Sequence, residues 1–71
     1  MNKPMSDLDF FAFDVLGDFV PVDTIYVDEE RSVVVVKKCP RHLMGMMHEN
    51  WKRSTFGSKY EKIRLVLSPA A

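Results

Sequence analysis

The chain has 71 residues, 46% of them hydrophobic and 11% aromatic, and its ten acids balance ten lysines and arginines. That length supports one small domain with a thin surplus of core energy over chain entropy; the composition excludes a disordered chain, and no apolar run is long enough to span a bilayer. The formal net charge of zero conceals a division, because residues 1–30 carry eight acids and one base, net −7, and residues 31–71 carry nine bases and two acids, net +7.

Either the two parts neutralise each other in the fold or each offers a charged face to something else. Lys3 is not followed by the continuous apolar run of a secretory signal, since Asp7, Asp9 and Asp14 interrupt it, so a cytoplasmic location is expected. A domain this small gains from a partner or a second copy, and a homodimer is expected.

Taken in order, residues 1–5 read as a flexible lead-in. Ser6 with Asp9 three residues later forms a capping box, and from Leu8 to Leu16 a helical projection gathers Leu8, Phe11, Ala12, Val15 and Leu16 on one face, with Gly17 placed to end the helix. An edge strand competes for this segment, because Phe and Val also suit a sheet. Phe19 to Val27 is β-branched and aromatic and reads as a strand, with Pro21 near its start. Asp28-Glu29-Glu30-Arg31 is a loop of hairpin length.

Val33 to Val36 organises the rest. Four consecutive valines are apolar at both parities, which suits a central strand antiparallel to the previous one. Pro40 ends the strand and opens a helix to about Ser54, with Leu43, Met44, Met46, Met47, Asn50, Trp51 and Ser54 on one broad face. Phe56-Gly57 closes that helix, and Lys59 to Leu67 alternates with Ile63, Leu65 and Leu67 on the core side. Strand, helix and strand form a βαβ unit with parallel strands in a right-handed crossover. Residues 68–71 read as a tail.

The fold class is therefore α+β, ordered helix, strand, strand, helix, strand, with a three-stranded mixed sheet and helices mainly on one face. The expected core is Leu8, Phe11, Val15, Leu16, Val20, Ile25, Val33, Val35, Leu43, Met47, Trp51, Ile63, Leu65 and Leu67.

Chemistry-bearing residues are sparse. Cys39, His42, Met44, Met46, Met47 and His48 include soft ligands, but His42 and His48 are six apart on different sides of a helix, and the methionines suit the core. His48-Glu49 has Lys52 where a zinc-protease helix needs its second His. Cys39 lies beside two lysines, which at most activates its thiol somewhat. Gly45, inside a helix, marks close packing or a flexible turn. No enzyme, metal or cofactor is expected.

The unit from Val33 to Leu67, with its valine-rich strand, Lys37-Lys38-Cys39-Pro40, a helix carrying Trp51, Phe56-Gly57 and a lysine-rich strand ending in Leu65-Val66-Leu67, resembles small accessory proteins encoded by bacteriophages. The resemblance covers about half the chain, and residues 1–30 lie outside it. It implies a binding role, either as an inhibitor of host defence or transcription complexes or as a minor virion part, and it assigns no site residue.

Two surfaces follow from the residues themselves. Phe10 and Phe13 project from the first helix among Asp7, Asp9 and Asp14, giving apolar anchors in a charged rim for a larger host protein or protein complex. Alternatively, Lys37, Lys38, Lys59, Lys62 and Arg64 with Tyr60 offer a basic, stacking face to nucleic acid. No membrane contact is expected.

Overall fold

A computed structural model describes residues 5–70, and its elements run helix, strand, strand, helix, strand around a three-stranded mixed sheet. The first helix, α1, spans Asp7–Leu16. The Asp9 N–H donates to Ser6 Oγ at 3.2 Å and the Ser6 N–H to Asp9 Oδ2 at 2.9 Å. This capping box satisfies two donors that a helix start otherwise leaves orphaned, and it decides for helix over strand. Gly17 ends α1 by donating its N–H to the Phe13 carbonyl at 2.8 Å. Its φ of −65° is right-handed, so glycine is needed there for space: a β-carbon would collide with the Phe13 carbonyl oxygen.

The strand expected from Phe19 is much shorter. The Phe19 and Val20 N–H groups donate back to the Leu16 carbonyl, and the Pro21 carbonyl accepts both the N–H and the hydroxyl of Thr24 at 3.0 and 2.7 Å. Groups committed to local turns are lost to a ladder. A 3-10 turn therefore fills Val22–Thr24, and β1 is only Ile25–Asp28.

The central strand, β2, spans Val33–Cys39, with β1 antiparallel on one side and β3, Arg64–Pro69, parallel on the other. The crossover between the parallel strands is α2, Arg41–Thr55. β3 starts at Arg64 and not at Lys59. Gly57, with φ +74°, turns the chain out of α2 and donates to Glu61 Oε2 at 2.9 Å, while Ser58 receives the N–H groups of Tyr60 and Glu61. These bonds hold residues 58–62 as turns. At its far end β3 includes Ser68 and Pro69, the first two residues of the expected tail: Pro69 pairs with Cys39, and the Ala70 N–H reaches the Cys39 carbonyl at 3.0 Å. Proline is tolerated because β3 is an edge. Residues 1–4 and 71, which belong to the expected flexible ends, lie outside the described residues.

Both helices pack on one face of the sheet, in a single core that joins Ala12 and Leu16 of α1, Met47 and Trp51 of α2, and Ile25, Val34 and Val36 of the sheet. The valine phase is the reverse of that expected. Val34 and Val36 are fully buried, while Val33 and Val35 lie on the uncovered side and are half-buried. Four identical residues carry no phase of their own; the pairing of Val36 with Ile25 and Leu67 sets it.

Regular alternation from Val34 and Val36 would next turn Lys38 into the core. A β-bulge prevents this. Lys38 adopts a left-handed φ of 57°, the register against β3 slips between Val36 and Cys39, and the fully buried inward residue becomes Cys39. One extra residue thus moves a lysine to solvent and a small sulfur side chain into the core.

On α2 the buried stripe is Met47, Trp51 and Thr55, flanked by half-buried Leu43, Met44 and Asn50. Met46 and Ser54, expected on that face, are exposed, and Thr55 takes the place of Ser54 with its hydroxyl donating to the Trp51 carbonyl at 2.8 Å. Trp51 donates its indole N–H to the Ile63 carbonyl at 3.0 Å, which pins the chain just before β3. A β-carbon at Gly45 would meet nothing within 4 Å, and the residue stands exposed, so close packing is not its role.

Candidate interaction surfaces

The outward side of α1 is defined by what its other sides bury. Leu8, Ala12 and Leu16 face the core, and Phe11 packs edge-on against Trp51 with centroids 5.5 Å apart and against Tyr60 at 4.5 Å. Because α1 is gripped by both the sheet and α2, its apolar contact is wider than one stripe. Phe13 is accordingly half-buried against the core and is not an exposed anchor. Phe10 is: 59% of its surface is open, between Asp7 one turn before it and Asp14 one turn after. Asp9 spends its carboxylate on the helix cap.

Few of the opposite charges meet. Among the described residues the ion pairs are Asp7 with Lys59 at 3.4 Å, Asp28 with Arg31 at 3.8 Å and Glu49 with Arg53 at 3.8 Å, all exposed. Only the first joins distant parts of the chain. Lys59 is held above the ordinary lysine range by Tyr60 first and by Asp7 second. Exposed pairs contribute little to stability, so among the described residues direct ion pairing between the acidic and basic parts is sparse and weak.

The second surface is the outer face of the sheet, which among the described residues neither α1 nor α2 covers. Tyr26 on β1, Val35 on β2 and Val66 on β3 stand in one row across it, and Asp28, Val33 and Arg64 form the next row. Tyr26 is 50% exposed and Val66 43%. Lys37 leans over the Tyr26 ring, its Nζ 4.8 Å from the centroid. Tyr26 and Val66 carry no motif in the sequence; only the strand register reveals them as a patch.

The basic residues do not gather on one face. Lys37 and Arg64 belong to the outer sheet face, Lys38 to the bulge, and Lys59 with Tyr60 to the N-terminal end of α1, where Tyr60 is half-buried against Phe11. Lys62 is exposed in the turn before β3. Phe56, read from sequence as a helix closer, is 80% exposed at the end of α2 and borders an open hollow with Gly45, His48, Glu49, Lys52 and Arg53.

Among the described residues no three His, Cys, Asp or Glu side chains could hold a metal ion. Cys39, expected at most to be somewhat activated, is the reverse: burial pushes its thiol pKa up, with Sγ 3.5 Å from Met47 Sδ. No helix among the described residues is long and apolar enough to cross a membrane. Comparison of the chain with protein-family models, with curated proteins and with solved structures gives no match.

Proposed function

We propose that this chain is a non-enzymatic interaction module, of the kind that small phage accessory proteins represent, and that it docks the acidic face of α1 on a basic surface of a larger host protein that handles nucleic acid. The observation that carries the reading is Phe10: a large ring, 59% exposed, on a helix whose neighbouring Asp7 and Asp14 point to the same side. Burying such a ring on a partner contributes about 1.5–3 kcal/mol. The surrounding carboxylates select a basic partner and speed the encounter. On this reading the module works in the cytoplasm and performs no chemistry of its own.

The nucleic-acid alternative has less support in the geometry, since its six residues are spread over four places and Tyr60 already packs against Phe11. A minor virion part is the second alternative, drawn from the phage resemblance alone.

One experiment separates these readings: capture from a bacterial lysate, with and without nuclease, using wild type, Phe10→Ala and Lys38→Glu/Lys62→Glu. The expected result is a basic, nuclease-resistant partner lost in Phe10→Ala and kept in the lysine variant. Nuclease-sensitive capture lost only in the lysine variant would replace the proposal with the nucleic-acid reading. Phe10 is exposed, so its removal leaves the fold intact and the comparison interpretable.

A further inference from the structure

We infer that the outer face of the sheet is a homodimer interface, with two copies related by a two-fold axis that lies in the interface plane and runs close to the direction of β2. The strand register carries this. Tyr26, Val35 and Val66 form the middle row of the face, and Asp28, Val33 and Arg64 form the row beside it. A half-turn about β2 keeps β2 over β2 and exchanges the two edges, so β1 of one copy lies across β3 of the other. Tyr26 then meets the second copy's Val66, and Val33 and Val35 meet their own counterparts on the axis. At both ends of the neighbouring row, Asp28 faces an arginine, the second copy's Arg64.

Apolar groups thus fall on apolar groups, and acid falls on base. Other rotations do not do this. A half-turn about an axis across the strands sets Val33 against Lys37 and leaves Asp28 and Arg64 without opposite charges. The chosen axis brings one pair of like charges close, the two Lys37 side chains, but Lys37 leans off β2 toward the Tyr26 ring at 4.8 Å. Arg64 is exposed and makes no ion pair among the described residues, and Asp28 holds Arg31 only loosely at 3.8 Å, so both are available across the interface. Sheets pack about 10 Å apart with strands within roughly 30° of each other, a gap that a long arginine bridges.

The face is small. Three strands about 4.8 Å apart expose on the order of 300 Å², well under the roughly 800 Å² per partner of a standard interface. The dimer is therefore weak and concentration-dependent. α1 lies on the other side of the sheet, so this inference stands or falls independently of the partner reading.

The test is sedimentation over a wide concentration series for wild type, Arg64→Glu, Asp28→Arg, the double exchange Asp28→Arg/Arg64→Asp, and Val35→Lys, with a thermal melt of each. Wild type is expected to move from monomer to dimer as concentration rises. Arg64→Glu places like charges at both ends of the row and raises the dimer dissociation constant about 10-fold or more. Val35→Lys, which sets two charges against each other on the axis, abolishes the dimer while the monomer melts cooperatively. The double exchange restores dimerisation toward wild type. Asp28→Arg also loses the carboxylate that accepts the Arg31 N–H in the hairpin, so Arg64→Glu and Val35→Lys carry the result if that variant melts early. A strict monomer at every concentration, or a dimer indifferent to both of those variants, would overturn the inference.

Discussion

Val34 and Val36 have no exposed surface, whereas Val33 and Val35, chemically the same and adjacent in sequence, remain half-buried on the other side of β2. On the inner side Ile25 and Leu67 flank Val36, and α1 and α2 close over them. On the outer side the neighbours are Tyr26, Val66, Lys37 and Arg64, and among the described residues neither helix packs over them. A side chain's energetic weight is thus set by what covers it. The inner valines hold the fold together; the outer ones form a surface.

The sharpest way to break this contrast is to place a charge on each side. Val36→Asp buries a carboxylate without a partner and is expected to cost about 4 kcal/mol or more, enough to unfold a domain of this size. Val35→Asp, measured by urea denaturation at a dilution where the protein is monomeric, should cost about 1 kcal/mol or less. Equal losses would mean that the two faces are equally covered.

The inner cover can be removed as well. Trp51 packs against Phe11 and donates its indole N–H to Ile63, so it ties α1, α2 and the approach to β3 into one unit. Trp51→Ala should cost about 3–5 kcal/mol and abolish the cooperative melt. An unchanged melting temperature would place the indole outside the core.

Smaller changes should stabilise. Lys38 holds a left-handed φ of 57° to make the bulge that brings Cys39 into the core, and Lys38→Gly relieves that conformation for a gain of up to about 1 kcal/mol. Gly45 meets nothing within 4 Å and sits on the exposed side of a helix, so Gly45→Ala should add about 1 kcal/mol through helix propensity. A loss in either case would show that the bulge or the helix face is packed in a way these contacts do not include.

The smallest effect concerns pH. Burial raises the Cys39 thiol above its ordinary value of 9.0. Below that value the folded and unfolded chains both keep the proton and stability does not depend on it. As pH climbs from 9.0 toward the higher folded value, the unfolded chain ionises first and stability falls. Cys39→Ala should flatten this alkaline slope relative to wild type in parallel denaturant titrations, and identical slopes would mean that the thiol is not buried.

Much of the architecture was legible because it rests on spacing. Ser6 and Asp9 announce α1, Pro40 announces α2, and the Leu65-to-Leu67 alternation gives β3 its inward side. What was not legible depends on pairing. Four valines in a row are symmetric under a one-residue slip, so the phase appears only once Ile25 and Leu67 are placed beside Val36. Lys38 gives no sequence sign of a left-handed residue, since glycine or asparagine is the usual marker. On the candidate site, the acids around Phe10 were legible from helical spacing. Phe13 was misread because a projection assumes one buried face while α1 is gripped on two. Tyr26 and Val66 were missed because they become a patch only across three strands.

The inward and outward phase of β2 is the claim on which both the covered core and the outer-face interface depend, and thiol accessibility measures it most directly. In a Cys39→Ala background, Val34→Cys and Val35→Cys would be treated with a thiol reagent at low protein concentration under native conditions. Val35→Cys is expected to label far faster than the domain unfolds, whereas Val34→Cys labels only as fast as the domain unfolds. Rapid labelling of Val34→Cys with protection of Val35→Cys would reverse the phase and contradict the account.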